Sequence, residues 1–218
     1  MQNLFAKLIA PIAIRCLNSE WYDLKTKLEY LHYKQLMCRQ YEPSILMQQM
    51  LISGEDHRFF SHGGFDLIAI LRACRNRFFY GKKEGASTIE MQLIRVLTGR
   101  YERTITRKIK EIALSTLLTQ VVPKKTISAL YLSVGYFGWR MNGLEQACKR
   151  LGLDPQNVNP SDTAKLIARL KYPQPRNLVQ NREMQIKRRA EHIFALHVEH
   201  RFGRIYFGLT EKVHHAAV

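Results

Sequence analysis

Apolar residues recur at helical spacing along most of this chain and no period-two run interrupts them, so a mainly α fold is expected. Ser19 heads a segment with Leu24, Leu28 and Leu31 on one face, and Pro43 opens another through Ile45, Leu46, Met50 and Leu51. That second helix is expected to stop at Ser53-Gly54. Leu67 to Phe79 reads as helix, and YGKKEGA at 80–86 as a mobile basic loop.

Ser87-Thr88-Ile89-Glu90 has the form of a capping box, with Ser87 as cap, opening a helix whose stripe is Ile89, Leu93, Val96 and Leu97. Gln92 and Arg95 then share another face. A helix over 104–120 is expected to bury Ile105, Ile109, Ile112, Ala113 and Thr116, leaving Arg107, Lys108 and Glu111 together on a different side. Pro123 ends that run. A helix follows as far as Gly135 and Gly138, then a short one from Gly143 to Leu151, then one capped by Ser161 and running to Lys171. YPQPRN at 172–177 reads as an extended loop, and 182–201 as an amphipathic helix with Lys187, Arg188 and Arg189 off its apolar side.

The chain has 218 residues, with 34 Lys and Arg against 18 Asp and Glu. The resulting +16, with 46% hydrophobic residues, excludes a disordered polymer and asks for an anionic partner: nucleic acid, anionic lipid or a phosphorylated substrate. Cys16, Cys38, Cys74 and Cys148 form no CxxC pair, so a disulfide scaffold and a cysteine metal site are not expected. MQNLFAKLIAPIAIRCL is apolar, but Lys7, Pro11 and Arg15 interrupt it well short of the ~20 residues of a spanning helix. Two readings remain for it: a helix lying in a membrane surface, or one packed on the core.

GEDHRFFSHGGFD, residues 54–66, follows an apolar helix and places Glu55 and Asp56 before Phe59 and Phe60. Aromatic surroundings would desolvate Glu55 and suit it to act as a general base. His57 and His62 lack a third ligand in the sequence, which argues against zinc. Arg95, Arg103, Arg107 and Lys108 can converge from two successive helices around Glu111, a density of charge suited to a diphosphate. By spacing alone, Arg107 and Lys108 with Glu111 could equally be exposed pairs worth a few tenths of a kcal/mol. Two acids with a cation cluster suggest sugar transfer from a phosphorylated donor.

In order along the chain, EDHRFFSHGGFD, GASTIEMQLIRVLTGR, RKIKE and YLSVGYFG resemble the motifs of the family 51 peptidoglycan glycosyltransferases, the transglycosylase domains of class A penicillin-binding proteins and their monofunctional relatives. The resemblance runs from about Pro43 to Asn177. It implies a lysozyme-like, two-lobed helical domain with a small membrane-facing lobe around 66–86. It also implies that Glu55 is the catalytic base and Glu111 a second essential glutamate. Asp56, Phe59 and His62 from the first motif, Ser87, Thr88, Gln92 and Arg95 from the second, Arg103, Arg107 and Lys108 from the third, and Lys124 from the fourth would bind substrate.

This chain departs from the family's pattern at several places. STIEMQ stands for STITQQ, with Arg95 and Val96 at a Lys-Asn pair; Ala129 and Ser133 stand for Glu and Asn; Lys171 and Tyr172 stand where small and apolar residues are usual. No SxxK occurs, so no fused transpeptidase is expected.

The expected organisation is an N-terminal helical segment at 1–42, a catalytic domain at 43–180 and a basic amphipathic C-terminal helix and tail at 181–218. The expected activity is polymerisation of lipid II into glycan strands, with release of polyprenyl diphosphate. No cofactor is required in this reading, with a divalent cation at the diphosphate as an option. Lipid II, the nascent strand and an anionic membrane surface are the expected partners, with a separate transpeptidase as a further one. The expected location is the periplasmic or outer face of the cytoplasmic membrane, with peripheral attachment. Three rivals differ in class. A catalytically impaired relative would bind or scaffold lipid-linked glycan; a nucleic-acid-binding protein would explain the charge but not the ordered motifs; a lysozyme-type hydrolase would have no need of the cations.

Overall fold

The structure, a computed structural model, describes residues 2–37, 39–82, 85–177 and 179–210. Lys83 and Glu84 of the basic loop, Cys38, and the tail beyond residue 210 lie outside the described residues. Helices α1 (Gln2–Cys16), α2 (Asn18–Met37), α3 (Ile45–Glu55), α4 (Leu67–Tyr80), α5 (Ile89–Thr98), α6 (Ile105–Val121) and α7 (Lys124–Val134) lead to a small hairpin, β1 (Tyr136–Gly138) and β2 (Met141–Asn142). Then follow α8 (Leu144–Leu151), α9 (Pro160–Lys171), α10 (Gln180–His200) and the single turn α11 (Phe207–Thr210). The mainly α expectation holds. The hairpin strands are too short to produce a period-two signal, which is why the sequence did not announce them.

The core is assembled by α3, which packs on α9, α10 and α7, and by α5, which packs on α6 and α7. Met47, Met50, Leu51 and Ile52 of α3 meet Leu93 and Ile94 of α5, Leu118 of α6, Ile127 and Leu130 of α7, Leu166 and Ile167 of α9 and Ile193 of α10 in one buried cluster. Burial of each such side chain contributes about 1.5–3 kcal/mol. Ser44 caps α3 by accepting from the Met47 N–H at 3.3 Å. The helix does not stop at Ser53-Gly54 as the sequence suggests; it continues to Glu55. Gly54 is instead a contact residue, since a Cβ there would lie 3.0 Å from Ile193 Cγ1 of α10.

Two caps differ from expectation. Thr88, not Ser87, caps α5, accepting from the Met91 N–H at 3.2 Å. Asn159, not Ser161, caps α9, which leaves Pro160 in the first turn where its missing N–H costs nothing.

The larger correction concerns α6. Ile105 and Ile109, expected in the core, are 81% and 61% exposed, whereas Glu111 is 3% exposed. The stripe that reads as core at the start of α6 therefore faces outward, and only its uncharged second half, with Leu114, Leu117 and Leu118, is buried. Nearby in sequence, α4 is capped by Asp66, which accepts from the Ile68 and Ala69 N–H groups, and buries no residue at all. Its Leu71, Phe78, Phe79 and Tyr80 are exposed. Apolar side chains are thus exposed both on α4 and on the first turns of α6.

α1 packs on the rest of the molecule along one side only. Ala10 and Ala13 pack against Leu117 of α6, while Leu8, Ile12 and Ile14 are exposed. Among the described residues no helix is long and apolar enough to cross a membrane. Cys16 and Cys74 are exposed, and the buried Cys148 thiol is pushed up to about 11 by its surroundings, so it stays protonated.

Candidate active site

Glu55 is the last residue of α3 and half-buried. Its Oε1 accepts from Arg189 Nη2 of α10 at 3.0 Å, and its Oε2 accepts from Gln92 Nε2 of α5 at 3.4 Å. The same guanidinium nitrogen donates to the Gly54 carbonyl. Gln92 is aimed in turn by Tyr131 of α7, whose hydroxyl donates to Gln92 Oε1 at 2.7 Å. Burial pushes the Tyr131 phenol well up, so it remains a neutral donor. Three helices thus set one carboxylate.

Arg189 owes its place to the docking of α10 on α3 and α9. Ser53, two residues before the end of α3, shares a hydrogen-bond chain with His200 Nδ1 at 3.0 Å and with the Tyr206 hydroxyl, which also meets His197 Nδ1 at 3.0 Å. The aromatic residues expected around Glu55 are engaged elsewhere. Phe59 is fully buried against Phe60, His62 and the Lys124 ammonium, and Phe60 packs on Phe207. What meets the Glu55 carboxylate is a guanidinium and an amide.

Glu111 forms the second centre. Arg95 of α5 holds it with two bonds, Nε to Oε1 at 2.8 Å and Nη2 to Oε2 at 3.2 Å. Arg107, one turn earlier on α6, also donates to Oε1, and Lys108 Nζ lies 3.9 Å from Oε2. Ser87 joins the group by accepting from Lys108 Nζ at 3.0 Å and Arg95 Nη2 at 3.3 Å. The exposed-pair reading of these residues does not hold: the carboxylate is buried while Arg95 and Lys108 keep open edges. Burial, with help from Arg95 and Arg107 and against Glu111, lowers Lys108 to about 8. Three cations share one buried anion, leaving excess positive charge for an incoming anion. Arg103 is exposed just before α6 and makes no ion pair among the described residues.

A profile described as transglycosylase matches residues 25–197. The chain belongs to the transglycosylase family. Among its relatives, the biosynthetic peptidoglycan transglycosylase of Bdellovibrio bacteriovorus is 29% identical over 185 residues, covering 82% of this chain and 72% of that protein. The biosynthetic peptidoglycan transglycosylase of Xanthomonas oryzae pv. oryzae is 33% identical over 150 residues, 66% of this chain and 61% of that protein. Penicillin-binding protein 1A of Escherichia coli K12 is 40% identical over 104 residues, 47% of this chain but only 12% of that protein. The chain thus spans between about three fifths and three quarters of the two peptidoglycan transglycosylases and a small part of the penicillin-binding protein.

Of the residues expected to bind substrate, Asp56, Phe59, His62 and Thr88 are buried and Lys124 is partly exposed, and each is engaged by other protein groups. Asp56 accepts from His62 Nε2 at 3.1 and 3.2 Å and from the Ile89 N–H at 3.2 Å. Lys124 Nζ donates to the Phe59 carbonyl at 2.7 Å, to Glu90 Oε1 and toward His62 Nδ1 at 3.5 Å. Thr88 donates to the Gly64 carbonyl at 2.7 Å. Gly64 itself has φ of 99° and lies so close to α6 that a Cβ would sit 2.3 Å from the Ser115 carbonyl. Asp56, His62 and Glu90 bring ligand atoms within 4.8 Å of one another, so His62 does find the neighbours that the sequence did not reveal. The Lys124 ammonium already supplies the cation there.

Sequence reading missed Arg189, which touches Glu55, and Glu90, which lies outside the site and touches Lys124. Arg189 was grouped with a polar helix face beside Lys187 and Arg188; its one distinguishing signal is its place one residue before the buried Ala190. Glu90 was assigned to a cap.

Proposed function

We propose that the protein is a peptidoglycan glycosyltransferase that polymerises lipid II. Glu55 takes the proton from the 4-hydroxyl of the acceptor sugar, and the freed oxygen attacks the anomeric carbon of the donor strand. The bond from that carbon to the polyprenyl diphosphate breaks on the opposite face, so configuration inverts. Arg95, Arg107 and Lys108 receive the negative charge that develops on the leaving diphosphate. Glu111 holds those cations in register, and Gln92 and Arg189 aim the base. A divalent cation at the diphosphate would add to the protein's own cations rather than replace them. Arg103, exposed before α6, would meet the phosphates from solvent.

The observation that carries this reading is the single face of α5 on which Gln92 touches Glu55 and Arg95, one turn on, touches Glu111. A base and an anion-binding centre are thereby linked through one rigid element, the arrangement that proton removal and diphosphate departure require of neighbouring reactants. Retention of both carboxylates, each with its partners, favours an active enzyme over an impaired relative. The substrate's lipid tail and the exposed Phe78, Phe79, Ile105 and Ile109 agree with peripheral attachment to an anionic membrane, reinforced by the chain's excess of +16. A separate transpeptidase would cross-link the product.

Product analysis tests the reaction type. With lipid II in vesicles, the protein should release polyprenyl diphosphate and form a polymer whose new linkages have inverted configuration. Release of free disaccharide without polymer would mark a hydrolase instead.

A further inference from the structure

Glu90 is the most deeply buried charged side chain among the described residues, with 0% exposure, and it stands where the family's second motif has threonine. The family pattern therefore assigns it nothing. Its Oε1 accepts from Lys124 at the start of α7, while its Oε2 is buried without a hydrogen-bond partner.

Lys124 is the hub of the group. An ammonium has three hydrogens, and Lys124 faces three acceptors: Glu90 Oε1, the Phe59 carbonyl and His62 Nδ1. With Nδ1 turned toward the ammonium, His62 donates from Nε2 to Asp56, which also receives the Ile89 N–H. A chain of contacts thus runs from α5 through α7 to the loop after α3 and back to the first turn of α5. Asp56 is the residue next to Glu55, and its own N–H closes α3 by donating to the Ile52 carbonyl at 3.0 Å. Burial pushes the Glu90 carboxyl up, against the downward pull of the Lys124 ammonium.

We propose that Glu90 is a positioning residue for glycosyl transfer: by fixing the Lys124 ammonium it sets the loop of Phe59, His62 and Asp56, and through that loop the carboxylate of Glu55. It touches no substrate. The inference rests on the glycosyltransferase reading for its activity test but not for its structural one.

The experiment compares wild type with Glu90→Gln, Glu90→Thr and Glu90→Ala in lipid II polymerisation, alongside thermal melting and nitrogen-15 spectra of His62. Glutamine keeps an oxygen at the right reach, so kcat should stay within about threefold of wild type. Threonine and alanine leave the ammonium one acceptor short, and kcat should fall about tenfold or more with KM nearly unchanged, a size typical of a displaced catalytic group. The His62 Nδ1 resonance should match in wild type and Glu90→Gln and move in Glu90→Ala.

Wild-type kcat in the threonine and alanine variants would overturn the proposal, as would a loss that merely follows the unfolded fraction or equal losses in glutamine and alanine variants. Stoichiometric transition metal bound in a Glu90-dependent way would also overturn it, replacing the ammonium with a metal ion. If wild-type protein makes no polymer, the glycosyltransferase reading fails, and an unmoved His62 resonance in Glu90→Ala would still refute the positioning network separately.

Discussion

Arg189 of α10 reaches across to Glu55 of α3 with a 3.0 Å charge-assisted hydrogen bond, joining two residues 134 positions apart in the chain. The bond makes the C-terminal helix part of the site. Gly54 lies beside it, where a Cβ would sit tightly, 3.0 Å, against Ile193 Cγ1 of the same helix.

Replacing Arg189 with Ala should therefore lower kcat by about 10- to 100-fold, because a base displaced by an ångström loses most of its advantage. KM for lipid II should change little. Arg189→Lys, which cannot span both Gly54 and Glu55 with one planar group, should recover only part of the loss. Steady-state kinetics on the two variants check this.

Glu111→Gln should destabilise the fold as well as the chemistry. Removing the anion leaves Arg95 and Arg107 facing one another around a buried amide. Breaking a buried pair of this kind costs about 3 kcal/mol or more. Urea denaturation should show a lower midpoint at an unchanged slope.

The pH profile should fall on its alkaline side as Lys108 loses its proton near the value of about 8 set by burial. Stability runs the other way. The unfolded lysine titrates near about 10.4, so between the two values the unfolded chain holds a proton that the folded one has released, and this group's contribution to stability rises with pH. A fall in rate above that point with no fall in melting temperature would separate charge loss from unfolding. Lys108→Arg should move the limb upward by more than about one pH unit, since guanidinium keeps its charge.

Membrane attachment should depend on α4. Phe78→Ser with Phe79→Ser removes two rings that are 90% and 75% exposed, so the fold should survive. Each ring buried in lipid is worth about 1.5–3 kcal/mol, and partitioning onto anionic vesicles should drop by at least about tenfold. Unchanged sedimentation with such vesicles would contradict the membrane-facing assignment.

The helices were legible because each carries local punctuation: Pro43 and Ser44 before α3, Gly81 after α4, Pro123 between α6 and α7. The cation cluster was legible because Arg95, Arg107, Lys108 and Glu111 lie at helical spacings on two neighbouring helices. Burial was not. Ile105 and Ile109 have the period of a core stripe, and only tertiary placement decides that they face outward while Glu111 faces in. Arg189 escaped for the same reason, since a long-range contact leaves no mark on local spacing. Glu90 was misread because a capping box and a buried ion pair with Lys124 demand the same residue at the same place.

The most direct test of the account is polymerisation of labelled lipid II by wild type and Glu55→Gln, an exchange that keeps shape and removes the base. The account predicts glycan polymer from wild type and a loss of about 100- to 10,000-fold in the variant, the range expected for a general base, with melting temperature and vesicle binding retained. Polymer formed by Glu55→Gln at the wild-type rate would contradict it.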